Sequence, residues 1–426
     1  MSSSPSCEYC GRCLSVCPSY KHHLVETMGP RARIDLANAV AAGQLEPGRR
    51  YEQSIKSCLQ CLACTEICGK GVDGAQIILN ARLAQKEYKK SAARRLEEFF
   101  VSTVLTRRSL LKKSLAVLRL AQKILPMDKG GNIRHLPDAL SGFMGKRSLP
   151  ELSAKSIDAM LPEHNMPEQA AIKGEVALFT GCFGGLADLS AALRLTGALN
   201  RLGYIVHIPR GQSCCGAPAQ LSGFAKAFEK AQSRNAQVFS QYKDMPVLTQ
   251  CATCHRTLAR EYAGDGKELA GRIVDSALFL SRNSAFSGIG LPDSALLDAL
   301  GLPSRKGRPV TESDPLIVTV HDPCHLRLDP DAGRAVRSML ASNPLIKLIE
   351  LSEPGICCGG GGVSSLKNPA LADELGEARA QAVMKTGADV VVSQCPGCVL
   401  QLNNHLKRLN AVQRARHALE IITLHI

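Results

Sequence analysis

The chain has 426 residues, with 52 Lys and Arg against 38 Asp and Glu and a net charge of +14. This length is too great for one compact core and suits about three domains of ordinary size. With 45% hydrophobic residues, 4% aromatic residues and no Trp, we expect a globular protein with an aliphatic core. No stretch approaches the roughly 18 uncharged residues of a spanning helix, which predicts a cytoplasmic protein without a signal peptide or membrane span.

The 18 cysteines fall into four groups, and none is left over. Because persistent disulfides are rare in the cytoplasm, so many cysteines favour metal ligation or redox chemistry over a disulfide scaffold. Two groups of four repeat one 2-2-3 spacing, and they consist of Cys7, Cys10, Cys13 and Cys17, and of Cys58, Cys61, Cys64 and Cys68. A helix is predicted between them, near Ile34 to Ala42.

The 2-2-3 spacing matches the ligand run of bacterial two-cluster ferredoxins, in which three cysteines of a run hold one [4Fe-4S] cluster and the fourth reaches the other. On that rule one cluster has the ligands Cys7, Cys10, Cys13 and Cys68, and the other has Cys58, Cys61, Cys64 and Cys17. Zinc is the alternative, but structural zinc sites use two separated ligand pairs and not a continuous run of four. Residues 1–85 are therefore predicted to form a helical ferredoxin-like domain with two [4Fe-4S] clusters.

Residues 86–174 are predicted to form a basic helical segment followed by a linker rich in Pro, Gly and Ser. Leucines from Leu105 to Leu118 recur there at helical spacing. The basic residues beside them include Arg107, Arg108, Lys112 and Lys113. Such a helix fits peripheral contact with anionic lipid on the cytoplasmic face of a membrane, or with an acidic partner, and a solvated helix packed on its own domain fits equally well. Nucleic acid binding is not expected, because no basic-aromatic motif accompanies the charge.

The remaining ten cysteines form two groups of five with a shared spacing, and corresponding members lie 142 to 144 residues apart. They are Cys182, Cys214, Cys215, Cys251 and Cys254 in the first group, and Cys324, Cys357, Cys358, Cys395 and Cys398 in the second. The near-constant offset indicates an internal duplication, with one domain at 175–300 and another at 315–426.

Both units alternate predicted strands with helices. The first strand of each unit, Val176 to Phe179 and Leu316 to Val320, ends shortly before a cysteine. Such alternation implies parallel sheets, whose carboxyl edge is where open α/β sheets bind ligands. The predicted fold class is therefore a multidomain α+β and α/β protein, in which a helical two-cluster domain precedes two duplicated α/β domains with parallel sheets.

Glycines and histidines flank the cysteines of both units. Gly216 and the run from Gly359 to Gly362 are expected to let the backbone approach closely and point N–H groups at sulfide or another anion. The positions of His255, His321 and His325 are consistent with hydrogen bonds that tune the reduction potential of a cluster, or with proton relay. Histidines that lie at strand ends and have no function explain the pattern equally well. No catalytic residue is assigned, and the chain has no G-x-G-x-x-G motif for a nicotinamide nucleotide.

The cysteine pattern of both units resembles the CCG cysteine-rich domain of heterodisulfide reductase and of iron-sulfur subunits of flavin dehydrogenases. It consists of one Cys, then Cys-Cys-Gly, then Cys-x2-Cys. The resemblance implies a further iron-sulfur cluster in each unit, of an unusual non-cubane type in some members, with all ten cysteines binding cofactors. Zinc or a vacant site in one unit is the alternative.

The order of domains over nearly the whole chain resembles the iron-sulfur subunit of glycolate oxidase, also called glycolate or D-lactate dehydrogenase. Besides the cysteines, the segment from Gly29 to Ile34 and the region from Arg49 to Val72 look like that family. The complete pair Cys395-Pro396-Gly397-Cys398 departs from it, because some of these subunits keep one cysteine there, and is closer to heterodisulfide-reductase-like proteins.

This resemblance implies an oxidoreductase subunit that transfers electrons. A separate FAD-containing subunit would oxidise glycolate or D-lactate, and electrons would pass through the clusters of this chain to a quinone-type acceptor. One alternative is a catalytic subunit that reduces a disulfide at a CCG cluster. Another is the iron-sulfur subunit of an anaerobic glycerol-3-phosphate dehydrogenase, with a membrane-anchoring role.

Overall fold

The computed structural model of the chain describes residues 6–85, 92–124, 152–167, 171–283, 300, 302–353, 355–361 and 368–425. Most of the predicted linker lies outside these ranges, as does Gly362. Helices make up the first part, and they run Arg12–Val16, Pro18–His23, Pro30–Ala41, Arg49–Lys56, Ala63–Glu66, Gly74–Ala84, Ala92–Phe99 and Arg108–Ile124. The helix predicted near Ile34 to Ala42 is therefore present, and begins four residues earlier than expected.

Local signals explain where the first helices begin. Pro18 and Pro30 each occupy the first helical position, where the missing N–H has no intrahelical partner to lose. Asp73 caps the helix Gly74–Ala84, since its carboxylate accepts a hydrogen bond from the Gln76 amide at 3.0 Å. These helices pack around the second cysteine motif, because the buried side chains of Tyr51 and Ile78 surround Cys58.

Two sheets follow, joined by alternating helices. The strands of the first are β1 (His164–Asn165), β2 (Gly174–Phe179), β3 (Tyr204–His207), β4 (Val247–Thr249) and β5 (Ile273–Asp275). Those of the second are β6 (Leu316–Val320), β7 (Ile346–Leu348), β8 (Val390–Ser393) and β9 (Arg414–His417).

The strand orders are β1-β3-β2-β4-β5 and β7-β6-β8-β9. All neighbours are parallel except β1, which is antiparallel to β3. Without β1 the two sheets have the same order, so the prediction of duplicated α/β units with parallel sheets is confirmed.

Helices alternate with the strands in both units. In the first unit they run Phe183–Leu186, Ser190–Arg201, Ala217–Ser222, Ala225–Phe239, Ala252–Arg256, Lys267–Ala270 and Ser276–Asn283, after a short helix Ile157–Met160. In the second unit they run Pro330–Ala341, Pro369–Lys385, Pro396–Arg408 and Ala418–Ile422.

The two units share one hydrophobic core, in which Leu178 and Leu248 belong to the same buried cluster as Val318 and Val390. Helices cross-pack between the units: Ser190–Arg201 lies on Ala418–Ile422, and Ser276–Asn283 lies on Pro330–Ala341. Each unit therefore covers the other with its last helix.

Polar contacts join the carboxyl ends of β4 and β8. The Ala252 amide donates to the Gln394 carbonyl at 2.9 Å, and the Gln394 side chain donates to Asp275 Oδ1 at 3.0 Å. The cysteines that follow these two strands are consequently brought to the interface between the units.

Arg82 joins the helical domain to the first unit. Its guanidinium is buried and donates to the carbonyls of Leu221, Ile55 and Cys58 at 2.8, 2.7 and 2.8 Å. Among the described residues, no helix combines the length and the apolar character that crossing a bilayer requires.

Replacement of Arg82 by Met should destabilise the protein by about 2 to 4 kcal/mol, because three buried carbonyls lose a charged donor. Urea unfolding of the two proteins measures this change. The exposed Arg50 on the helix Arg49–Lys56 supplies the control, since Arg50→Met should change stability by no more than about 0.5 kcal/mol. Equal losses in both variants would contradict the anchoring role of Arg82.

Candidate iron-sulfur sites

The first eight cysteines line two neighbouring cavities. The outer cavity has Cys7, Cys10, Cys13 and Cys68 on its wall, together with Cys64. The inner cavity is lined by Cys17, Cys58, Cys61 and Cys64. The structure thus brings the fourth cysteine of each motif to the cavity formed by the other motif, which is the crossed arrangement expected from the 2-2-3 spacing. Cys10 is exposed and Cys17 and Cys58 are buried, so the outer cavity is the one nearer to solvent.

Both short motifs wind their backbone through the left-handed region at the same two positions. The residue before the second cysteine has φ of 56° at Tyr9 and 57° at Gln60, and the residue after it has φ of 77° at Gly11 and 64° at Leu62. Non-glycine residues adopt this conformation at a cost, and it is typical of functional loops. Here it turns amides toward sulfur, since Gln60 N donates to Cys58 Sγ at 3.4 Å. Loops of this kind make anion-binding concavities.

A buried cation supports the inner cavity. Arg33 is 1% exposed and donates to the Ser54 carbonyl and to the hydroxyls of Ser19 and Ser57. Burial raises the pKa of the Cys17 thiol, and the charge of Arg33 opposes that rise. A cluster with thiolate ligands is an anion, so this guanidinium would offset part of its desolvation.

The five cysteines of the second unit surround one large cavity, of about 270 Å³. Cys324 follows β6, Cys357 and Cys358 lie in the loop after β7, and Cys395 and Cys398 follow β8. Cys251 of the first unit lies on the same wall. A water molecule takes up about 30 Å³ of liquid volume, so this cavity is large enough to be a binding site and not a packing defect.

The glycine of each Cys-Cys-Gly triplet is required by its backbone conformation. Gly216 has φ of 90° and Gly359 has φ of 75°, a region that favours glycine. A Cβ at Gly216 would lie 2.8 Å from Phe228, and one at Gly359 would lie 2.7 Å from the Ala372 carbonyl oxygen. The Gly359 amide donates to Cys357 Sγ at 3.4 Å. The expected role of these glycines in directing N–H groups at an anion is thus visible at Gly359.

Charges and hydrogen bonds lower the pKa of two cysteines in the second unit. A hydrogen bond from Cys324 lowers the pKa of Cys357, and the nearby charges of Arg327 and Arg379 add to this effect. Hydrogen bonds from Cys251 and Cys398 hold the pKa of Cys395 well below its ordinary value. The thiolate is the form that binds metal, and the surroundings favour it at Cys357 and Cys395, whereas donated hydrogen bonds raise the pKa of Cys324 and Cys398.

The five cysteines of the first unit also lie together. Cys182 Sγ donates to Cys214 Sγ at 3.7 Å, and hydrogen bonds from Cys214 and Cys254 lower the pKa of Cys215 to about 6. Cys251 is hydrogen bonded to Cys254 on one side and to Cys395 of the second unit on the other. The two five-cysteine groups are therefore in direct contact.

The basic helical segment covers the first unit's cysteines. The Cys214 amide donates to the Leu105 carbonyl at 3.4 Å, and Arg108 Nη1 donates to the Gly181 carbonyl at 3.4 Å. Leu111 packs against Leu186 in a buried cluster beside Cys182. Much of the apolar face that the leucine spacing indicated is thus used within the protein.

Two of the basic residues on this segment are engaged by a distant carboxylate. Asp158 accepts hydrogen bonds from Arg108 at 2.8 Å and is paired with Lys112 at 2.6 Å. Burial opposes ionisation of Asp158, yet these two cations lower its pKa to about 2. Arg107 and Lys113 remain exposed.

The three histidines near the cysteines have different surroundings. His255 Nε2 lies 2.7 Å from Asp329 Oδ2, and His325 Nδ1 lies 2.9 Å from the Thr253 hydroxyl. Burial lowers the pKa of His321 to about 3 and that of His325 to about 4, so both rings are neutral.

The structure also reveals contributors that sequence reasoning did not identify. Arg379 is buried and donates to the carbonyls of Glu353 and Ile356, in the loop before Cys357. Arg327 contacts the Glu66 carboxylate and so joins the second unit to the helical domain. Their positions follow from tertiary packing and have no local sequence signal.

The four cysteine groups lie in a row. The outer and inner cavities share Cys64, and Cys61 of the inner cavity packs with Cys324 and Cys357 of the second unit. The second unit's cavity in turn meets the first unit at Cys251. Sequence order and spatial order therefore differ, because the second five-cysteine unit lies between the ferredoxin-type motifs and the first.

Comparisons with known proteins agree with this arrangement. Residues 3–72 match the 4Fe-4S dicluster domain family, and residues 176–259 and 318–403 each match the cysteine-rich domain family, CCG.

Several known proteins are similar over more than half of the chain. The probable glycolate oxidase iron-sulfur subunit of Bacillus subtilis is 28% identical over 98% of this chain and 93% of its own length. One component of the dihydromethanophenazine:CoB-CoM heterodisulfide reductase of Methanosarcina barkeri is 23% identical over 94% of this chain and 88% of its own. Lactate utilization protein A 2 of Bacillus mycoides is 25% identical over 58% of this chain and 98% of its own. The chain therefore joins a 4Fe-4S dicluster domain to two cysteine-rich domains, and over nearly its whole length it is similar to the iron-sulfur subunit of glycolate oxidase.

Proposed function

We propose that this chain carries electrons for a flavin-dependent 2-hydroxy acid dehydrogenase. A partner subunit with FAD oxidises glycolate or D-lactate, and the electrons pass through this chain to a quinone-type acceptor. The observation that carries the proposal is the row of four adjoining cysteine groups, which begins near solvent at Cys10 and ends under the basic helical segment. Such a row supplies a path for electrons and needs no substrate pocket for a hydroxy acid.

The donor sets fit iron-sulfur clusters. The inner cavity has four cysteines at its wall, and the outer cavity has four besides the shared Cys64. Four cysteines are the ligand set of a [4Fe-4S] cluster. Each CCG unit offers five cysteines, and hydrogen bonds lower the pKa of one of them in the first unit, Cys215, and of Cys395 in the second. We propose one [4Fe-4S] cluster per ferredoxin-type cavity and one further iron-sulfur cluster per CCG unit.

The exposed part of the basic segment is proposed as a peripheral contact surface. Arg107 and Lys113 are free of the Asp158 contacts that engage Arg108 and Lys112, and Val117 is 68% exposed. Exposed cations beside exposed apolar side chains are suited to an anionic membrane surface.

Reduction of a disulfide at the second unit is the second candidate function. Its support is the complete pair Cys395 and Cys398, together with the large cavity that opens beside them. The similarity to a component of a heterodisulfide reductase adds to this support.

Electron delivery from a flavoprotein tests the proposal against that alternative. The chain is purified anaerobically from its own host together with any flavoprotein that co-elutes, and reduction of its clusters is followed by EPR after addition of glycolate or D-lactate. We expect reduction by one of these acids and reoxidation by a soluble quinone. Reoxidation of the dithionite-reduced chain by an organic disulfide, with no response to the hydroxy acids, would contradict the proposal and favour the reductase.

The crossed ligand sets predict which pairs of cysteine substitutions are additive. The single variants Cys10→Ser and Cys68→Ser and the double variant should all lose the same cluster, of about four iron atoms, because both residues lie at the outer cavity. Cys10→Ser combined with Cys17→Ser should cost about eight iron out of about 16, since the two residues serve different clusters. Iron and acid-labile sulfide analysis of the anaerobically purified variants measures this. The reverse pattern of additivity would show that each motif binds its own cluster.

A further inference from the structure

His321 is a fully buried side chain whose polar atoms are unused. It follows β6, is 0% exposed, and neither ring nitrogen has a hydrogen-bond partner among the residues that the structure describes. Leaving a buried polar group unpaired is destabilising, because the group has lost its hydrogen bonds to water. Buried orphans of this kind call for an explanation, of which a bound group is one.

The nearest candidate donors around His321 are sulfur atoms. One imidazole nitrogen, Cys358 Sγ and Cys398 Sγ all lie within 4.8 Å of one another, and all three residues are buried. Imidazole nitrogen and thiolate sulfur together form a donor set that transition metals bind. Both cysteines line the large cavity of the second unit.

The first unit shows that packing does not require a histidine here. Three residues before the first cysteine of each unit stand Phe179 and His321. Phe179 is 1% exposed and packs on Phe239 with ring centroids 5.8 Å apart. An aromatic ring therefore fills the equivalent position without any polar atom, so the nitrogens of His321 distinguish the second unit from the first.

We propose that His321 is a nitrogen ligand to iron in the cluster of the second CCG unit, beside Cys358 and Cys398. This rests on the proposed function in one respect, namely that the second unit holds an iron-sulfur cluster. The two CCG clusters then differ, the first with thiolate ligands and the second with mixed ligands. In Rieske centres histidine ligands raise the reduction potential, so the second unit would hold the more easily reduced of the two CCG clusters.

Histidine-specific isotope labelling tests the ligand directly. The full chain is prepared anaerobically with natural or 15N-labelled histidine, and pulsed EPR of the reduced second-unit cluster records its nitrogen hyperfine coupling. We expect a coupling that changes with the label, is kept in His325→Gln and is lost in His321→Phe, which introduces the ring found in the first unit. His321→Cys should keep the iron and lower the midpoint potential of that cluster, because a thiolate replaces a neutral ring.

The outcomes separate failure of this inference from failure of the proposed function. A wild-type chain with about 16 iron and no histidine coupling overturns the ligand role and leaves electron transfer intact, as does a coupling that persists in His321→Phe. A wild-type chain without iron in the second unit overturns both. The labelled wild-type protein decides the question even where His321→Phe does not fold.

Discussion

The structure depends on packing many cysteines close together, ten of them buried. Charged groups removed from water are costly unless they are paired or bind metal, and 18 cysteines are gathered into four adjoining groups here. Amide donors at left-handed turns, such as Gly359, and buried guanidinium groups, such as Arg33 and Arg379, offset part of that cost. The proposed clusters would supply the rest, since for such sites binding energy is also folding energy.

Duplication determines how the last two groups meet. Each sheet places its cysteines after the carboxyl ends of parallel strands, and the ends of β4 and β8 are joined through Ala252 and Gln394. The second unit's cysteines therefore lie between Cys251 on one side and Cys61 on the other. Because each unit packs a helix against the other across a common core, this contact does not depend on a flexible linker.

Much of this could be read from the sequence, because cysteine spacing and strand periodicity are local signals. The crossed placement of Cys17 and Cys68 and the repeated sheet order follow from such signals. Strands β1 and β9 could not be found in the same way, since His164–Asn165 is short and Arg414–His417 is polar. The partner of Arg108, Asp158, is 50 residues away, so the sequence could not decide between a basic helix free for membrane or partner contact and one packed on its own domain. Domain boundaries stay predictions, as β1 joins the first sheet from a segment assigned to the linker.

The proposed electron path crosses the chain through the inner cluster. Freeze-quench EPR of Cys61→Ser, assembled with its flavoprotein and mixed with hydroxy acid substrate, tests this most directly. The variant should lose the inner cluster. The clusters on the flavoprotein's side of the missing cluster should be reduced at the wild-type rate, and those on the other side should not. Reduction of the outer cluster and of both CCG clusters at that rate would contradict a single path through the row.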